Sequence, residues 1–368
     1  MAWLPRVLRS AGLTTAGVLA FVLAFALALT VTPGEPGERL AAPGAQAADT
    51  GARPAGCGRG AVPAPTAWMG ESGRLDVTLP SRFAQGPPAF AGSLFHPLTP
   101  PPPGRRLPIV LLQHGTGGDR CSLEWLARAV AGSGRLALTW TAPGGRDLGG
   151  QDSYLNAVRA TASAYPWLRS TANPLRAVTD PRRVVLGGSS LGSMSSSYLQ
   201  GTALTPGTRA LVALDNLRRW QLGDPGGAAW ECGRPREGEV RPRVPALGLA
   251  MDAPCKTGSS PRYRELKLSG FKHWRATGQP AMVLALRGFE HTDFAVTGTD
   301  AQRQLVWHYV DAWIARWTEG DSRADAVRRL LAPRVLGSRT ADLLSRRYAS
   351  GAHLAGVDTD DLAALLRR

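Results

Sequence analysis

A chain of 368 residues, 43% hydrophobic and 19% charged, is long enough to bury a large core and too apolar to stay disordered. Its 43 Lys+Arg against 28 Asp+Glu give a net charge of +15, but nearly all the basic residues are Arg spread singly along the chain, a pattern that argues against nucleic-acid binding. The four cysteines, Cys57, Cys121, Cys232 and Cys255, form neither C-x-x-C nor any zinc-ligand spacing, so no metal site is expected.

The N-terminus reads as an export segment. Arg6 and Arg9 precede an uncharged stretch from Ser10 to Thr32, whose apolar run of about 20 residues exceeds the usual core of a signal peptide and is long enough to span a bilayer. The small-x-small triplet Ala45-Gln46-Ala47 suits signal peptidase, so residues 1–47 are expected to be a signal peptide, with a retained single-pass anchor as the alternative. In either case the arginines keep the N-terminus inside, and the remainder is expected outside the cytoplasm. Loss of residues 1–47, with their three Arg and two Glu, leaves +14, a charge that nucleic acid, an anionic envelope surface or an acidic substrate would each suit. The same compartment permits disulfides, expected as Cys57–Cys121 and Cys232–Cys255.

Residues 48–65 read as a Pro/Gly/Ala linker, and from 66 onward strand and helix signals alternate. Arg74–Leu79 and Ala89–His96 are candidate strands. Leu107–Gln113 is a continuous apolar run of the fully buried kind. Helix Ser122–Ala131, strand Arg135–Thr141, helix Asp152–Ser163, strand Arg182–Leu186 and helix Leu191–Gln200 follow. Strands Ala210–Leu214, Ala246–Met251 and Ala281–Leu286 come next, the first two separated by a long Arg/Gly/Pro loop. Gln302–Trp317 carries apolar residues at Leu305, Val306, Tyr309, Val310, Trp313 and Ile314, the spacing of an amphipathic helix. This alternation predicts an α/β fold with a mostly parallel central sheet and helices on both faces, spanning 66–318. Residues 319–368 are expected to be a small helical extension.

The chemistry centres on Gly188-Ser189-Ser190-Leu191-Gly192, a G-x-S-x-G match. Val184-Val185-Leu186 enters it as a strand and Leu191-Gly192-Ser193-Met194 leaves it as a helix, the strand–turn–helix context of a nucleophile elbow. Ser190 is therefore the expected nucleophile and the Leu191 backbone N–H an expected oxyanion donor. A second donor is expected from the Gly-rich turn His114-Gly115-Thr116-Gly117-Gly118, through the N–H of Thr116 or Gly117. His114 precedes the serine and is expected to be structural. His291, in the loop three residues past Arg287-Gly288 at the end of the last strand, is the expected base; His96, His273, His308 and His353 lie in less suitable places. Asp215 and Asp252 each end a strand between Ser190 and His291, and either is a candidate acid.

The ordered set Pro-Ile-Val-Leu-Leu-Gln-His-Gly-Thr-Gly-Gly, Gly-Gly-Ser-Ser-Leu-Gly, Ala-Leu-Asp215-Asn-Leu and Leu-Arg-Gly-Phe-Glu-His291-Thr-Asp-Phe resembles the platelet-activating-factor acetylhydrolase and dienelactone-hydrolase-like branch of the α/β-hydrolases, near the bacterial cutinases. The resemblance covers roughly residues 66–318. It implies the α/β-hydrolase fold and favours Asp215 as the acid, because the acetylhydrolases place it in an Ala-Leu-Asp context. In the cutinases it follows Val-Pro-x-Leu; here Val244-Pro-Ala-Leu247 is present, but Pro254 takes the acid's position. Ser189 stands where the family often has His or Tyr, and Ser193 replaces a common Gly.

The activity implied is hydrolysis of small-molecule or lipid carboxylic esters through an acyl-enzyme on Ser190, without a cofactor. The alternatives are an envelope acyltransferase using the same triad and a non-catalytic protein of the same fold that binds an envelope glycan or lipid. The loop 216–243, with Trp220 and Trp230, is a candidate lid. Acyl specificity and oligomeric state have no signal in the sequence.

Overall fold

The computed structural model describes residues 66–81, 88–143, 151–215, 217, 240–252, 270–319 and 323–350. Nine strands form one sheet in the order β1-β2-β4-β3-β5-β6-β7-β8-β11. They are β1 (Ser72–Pro80), β2 (Ala89–Pro97), β3 (Leu107–Gln113), β4 (Leu136–Trp140), β5 (Thr179–Ser189), β6 (Thr208–Leu214), β7 (Ala246–Met251), β8 (Ala281–Leu286) and β11 (Leu344–Ala349). The six strands from β4 to β8 in this order run parallel, while β1, β2 and β11 join antiparallel at the two edges. The sheet is thus mixed and mostly parallel.

The apolar run of β3 follows from this placement. All seven of its residues are buried because both faces of the sheet are covered. Val110 and Leu112 pack into one cluster with helices α1 (Glu124–Gly132) and α4 (Asp300–Thr318). Ile109 and Leu111, one residue out of phase, pack into the other with α2 (Gln151–Trp167) and α3 (Leu191–Leu199). On α4 all six apolar residues of the expected stripe are buried. Thr299 caps that helix, its side chain accepting from the Gln302 N–H while Gln302 reaches back to the Thr299 N–H.

Several boundaries differ from expectation, among them β5, which runs Thr179–Ser189 rather than Arg182–Leu186. Helix α2 runs to Trp167 with Pro166 in its last turn, a place where the ring ends the helix rather than breaking it. The segment after 318 is not wholly helical. Helix α5 (Arg323–Leu331) is followed by the hairpin β9 (Arg334–Val335) and β10 (Ser338–Arg339), the short helix α6 (Thr340–Leu343) and then β11, which pairs with β8. The physical reason is the edge of β8, whose unpaired backbone groups are satisfied by a further strand. Residues 344–349 therefore belong to the main sheet, and residues 351–368 lie outside the described set.

Among the described residues no helix is long and apolar enough to cross a membrane, and the run Ser10–Thr32 lies outside them. Cys121 is buried and disulfide-bonded. Cys57, Cys232 and Cys255 lie outside the described residues, as do the expected pairings, Trp220 and Trp230.

Candidate active site

The parallel strands β5, β6 and β8 end on the same side of the sheet, and each delivers one residue of the expected triad just past its carboxyl end. Ser190 follows β5 and opens α3 with φ 54° and ψ −116°. That left-handed conformation costs an L-residue about 1–3 kcal/mol and persists only where its surroundings enforce it. Here the enforcement is visible. The Ser190 N–H donates to the Leu214 carbonyl of the neighbouring strand at 2.9 Å. A Cβ on Gly192 would overlap the carbonyl oxygens of Gln113 and His114, so helix α3 leaves the turn in direct contact with the end of β3. Position 192 therefore has no room for a side chain. Ser193, buried in the first turn of α3, places its hydroxyl 2.6 Å from the Gly188 carbonyl and 2.9 Å from that of Leu214, bracing the two strand ends.

Asp215 follows β6, also at positive φ, 57°. Only Leu336, in the β9–β10 turn, joins Ser190 and Asp215 as a non-glycine residue of positive φ among the described residues. The Asp215 carboxylate is fully buried. It accepts from the Met251 N–H at 3.1 Å through Oδ1 and from His291 Nδ1 through Oδ2. A buried carboxylate is tolerable only with such donors. Because Nδ1 donates, Nε2 is left as the basic nitrogen of His291. The second candidate acid, Asp252, instead accepts from the Ser345 hydroxyl at 2.6 Å. The structure therefore pairs His291 with Asp215.

His291 begins a short turn of 3-10 helix, His291–Phe294, whose holders were not singled out from the sequence. Asp293 accepts from the Glu290 N–H at 2.8 Å, from Gln302 at 3.0 Å and from the Thr297 hydroxyl at 2.8 Å. Phe289 and Phe294, on either side of the histidine, are buried with ring centroids 5.3 Å apart. The signals were present as the spacings Glu290-x-x-Asp293 and Thr299-x-x-Gln302, each a capping box.

The Gly-rich turn after β3 adjoins the serine. A Cβ on Gly115 would lie 3.1 Å from Ser190 Cβ, and Gly118 N–H closes the turn on the Gly115 carbonyl at 3.1 Å. Thr116 is exposed at the tip of this turn and its N–H donates no hydrogen bond within the described residues. Leu191, as the first residue of α3, has an N–H with no intrahelical partner. Leu191 adjoins Ser190 in the chain and Thr116 follows Gly115, which packs against Ser190; neither N–H has a hydrogen-bond partner within the described residues.

His114 is structural, as expected. It is buried; Nδ1 donates to the Gly115 carbonyl at 2.7 Å and Nε2 accepts from the Ala142 N–H at 3.1 Å. Burial pushes its pKa down, against the opposing pull of the Gly115 carbonyl and Asp119. The neutral ring ties the Gly-rich turn to the segment just past β4. His96, His273 and His308 each donate to a backbone carbonyl, of Pro97, Val240 and Arg329 respectively, and His353 lies outside the described residues. No cluster of three or more His, Cys, Asp or Glu side chains among the described residues is arranged to hold a metal ion. The sequence matches no model of a known protein family and no curated protein.

Proposed function

We propose that this chain is a serine hydrolase of α/β-hydrolase type that cleaves carboxylic esters outside the cytoplasm. The observation that carries the reading is the His291 Nδ1–Asp215 bond set one strand away from a serine held at positive φ. The chain order Ser190, Asp215, His291 and the elbow between β5 and α3 support the same assignment.

In this mechanism the Ser190 oxygen attacks the ester carbonyl while His291 Nε2 takes its proton. The oxyanion so formed accepts from the Leu191 and Thr116 N–H groups. Collapse of the tetrahedral adduct expels the alcohol, which receives the proton from His291. Water then attacks the acyl-Ser190 ester, with His291 again accepting and returning a proton, and the carboxylic acid leaves. Asp215 fixes the tautomer and stabilises the imidazolium. Each oxyanion donor is worth about 3 kcal/mol in the transition state. Export rests on Arg6, Arg9, the apolar run and Ala45-Gln46-Ala47.

Hydrolysis of p-nitrophenyl acetate, butyrate, octanoate and palmitate by the full chain tests the reading. Serine-dependent turnover is expected, and the chain-length optimum separates a pocket for short acyl groups from a groove for long ones. A folded protein that turns over none of the four contradicts it.

A further inference from the structure

Asp252 and the C-terminal strand β11 take no part in the steps assigned to Ser190, Asp215 and His291, yet a hydrogen bond joins them beside that triad. The Ser345 hydroxyl of β11 donates to the Asp252 carboxylate at 2.6 Å. In the sheet β8 lies between β7 and β11, so this bond bridges the carboxyl end of β8, from which the chain runs on to His291. A bulge makes the reach possible. Leu344 faces Leu286 and Arg346 faces Ala285, which leaves Ser345 as an extra residue on β11. Such a residue bends its strand and re-aims its side chain. At the same strand end the Arg287 N–H donates to the Leu343 carbonyl at 2.9 Å.

Asp252 directly follows Met251, whose N–H donates to Asp215 Oδ1. The ladder between β6 and β7 thus runs past the last residue of β6. The Asp215 N–H donates to the Leu249 carbonyl at 2.6 Å, and the Asp215 carboxylate then accepts from Met251 as a backbone carbonyl would. The other oxygen of this buried carboxylate accepts from His291. How the carboxylate is turned toward Nδ1 therefore depends on where the end of β7 stands. Asp252, just past that end, is where β11 takes hold of it.

We propose that Asp252 and Ser345 are positioning residues for the triad, their bond holding the end of β7 so that the Met251 N–H stays on Asp215. The inference rests on the serine-hydrolase reading and adds that β11 is required for the rate and not only for the fold. A small displacement of a catalytic group slows a reaction without weakening substrate binding. Ser350 provides the comparison at the other end of β11. Its hydroxyl accepts from the Ala281 N–H at 2.7 Å, at the start of β8 and away from the triad.

The test is steady-state kinetics of the full chain on the p-nitrophenyl ester it turns over fastest, with melting temperatures measured in parallel. Ser345→Ala and Asp252→Ala should each lower kcat about tenfold with KM little changed, and the double variant should be no slower than either, because the same bond is lost in each. Ser345→Thr keeps the donor and Asp252→Asn keeps an acceptor, so both should retain kcat within a few-fold. Ser350→Ala removes a tie between β11 and β8 at the far end; it should lower the melting temperature about as much as Ser345→Ala and leave kcat unchanged. Equal kcat in Ser345→Ala and Ser350→Ala, or a loss in Ser345→Thr as deep as in Ser345→Ala, overturns the proposal and leaves the triad assignment standing. A wild-type chain that turns over no ester and takes up no fluorophosphonate overturns the serine-hydrolase reading, and this proposal with it.

Discussion

At Asp215 and Asp252 two carboxylates that looked alike in the sequence part company. Both end strands and both precede His291, and only the Ala-Leu-Asp context of the resemblance favoured Asp215. What separates them is the sheet order, which sets β6 beside β5 and lets the Asp215 carboxylate meet Nδ1, while β11 brings Ser345 to Asp252. Asp215→Asn should therefore lower kcat by about 10⁴ with the fold retained, by analogy with triads whose acid is removed. Asp252→Asn should leave kcat within a few-fold, and steady-state kinetics on a p-nitrophenyl ester distinguishes the two. Ser190 and His291, by contrast, were legible because each sits in a local pattern, a G-x-S-x-G turn and a post-strand loop. His114 has its own signature. With burial holding its pKa below the ordinary 6.5, the unfolded chain binds the extra proton first. Its contribution to stability is complete above 6.5 and is lost as pH falls through the lowered value. His114→Gln should flatten the fall in melting temperature between pH 7 and pH 5. An unchanged slope would mean that other groups set it.

Among the elements, α3 and the His291 turn impose the tightest demands. Gly192 is glycine because the helix starts against the end of β3. Gly192→Ala must move the helix or the strand, at a cost of about 1–3 kcal/mol or more, read as a lower denaturation midpoint together with lost activity. The turn His291–Phe294 is held from a different element, through Gln302 on α4 to Asp293. Asp293→Ala should lower kcat about tenfold or more by loosening His291, with little change in KM and about 1 kcal/mol of stability lost. Equal kcat in the variant would show that Phe289 and Phe294 hold the loop alone. Strand β11 shows where sequence reading stops at this scale. Leu344-Ser-Arg-Arg-Tyr-Ala has a strand's length but no clear alternation, because Arg347 is buried with the core rather than turned to solvent. Its strand character comes from the open edge of β8, a partner that no local pattern records.

For the whole molecule, the mixed sheet was legible because the buried strands are continuous apolar runs and the covering helices carry stripes. Long-range ion pairs were not. Arg135, just before β4, meets Asp311 of α4 and Glu319 at the end of that helix, and Asp311 also pairs with Arg329 of α5 at 2.6 Å. Burial alone would raise the Asp311 pKa, yet Arg135 and Arg329 together carry it below the ordinary 3.8. The stability it confers is therefore present above 3.8 and is lost as pH falls through the lowered value. Asp311→Asn leaves Arg135 buried with one anion fewer but still paired with Glu319, and should cost about 1–3 kcal/mol at neutral pH, measured by urea unfolding. A cost near zero would place the pair effectively in solvent.

An activated Ser190 reacts with a fluorophosphonate probe. The full chain should form one covalent phosphonyl adduct, located on Ser190 by mass spectrometry of the digested protein. Ser190→Ala should form none, and His291→Ala should label far more slowly. A folded wild-type chain that takes up no probe, or takes it up equally after Ser190→Ala, would contradict the account.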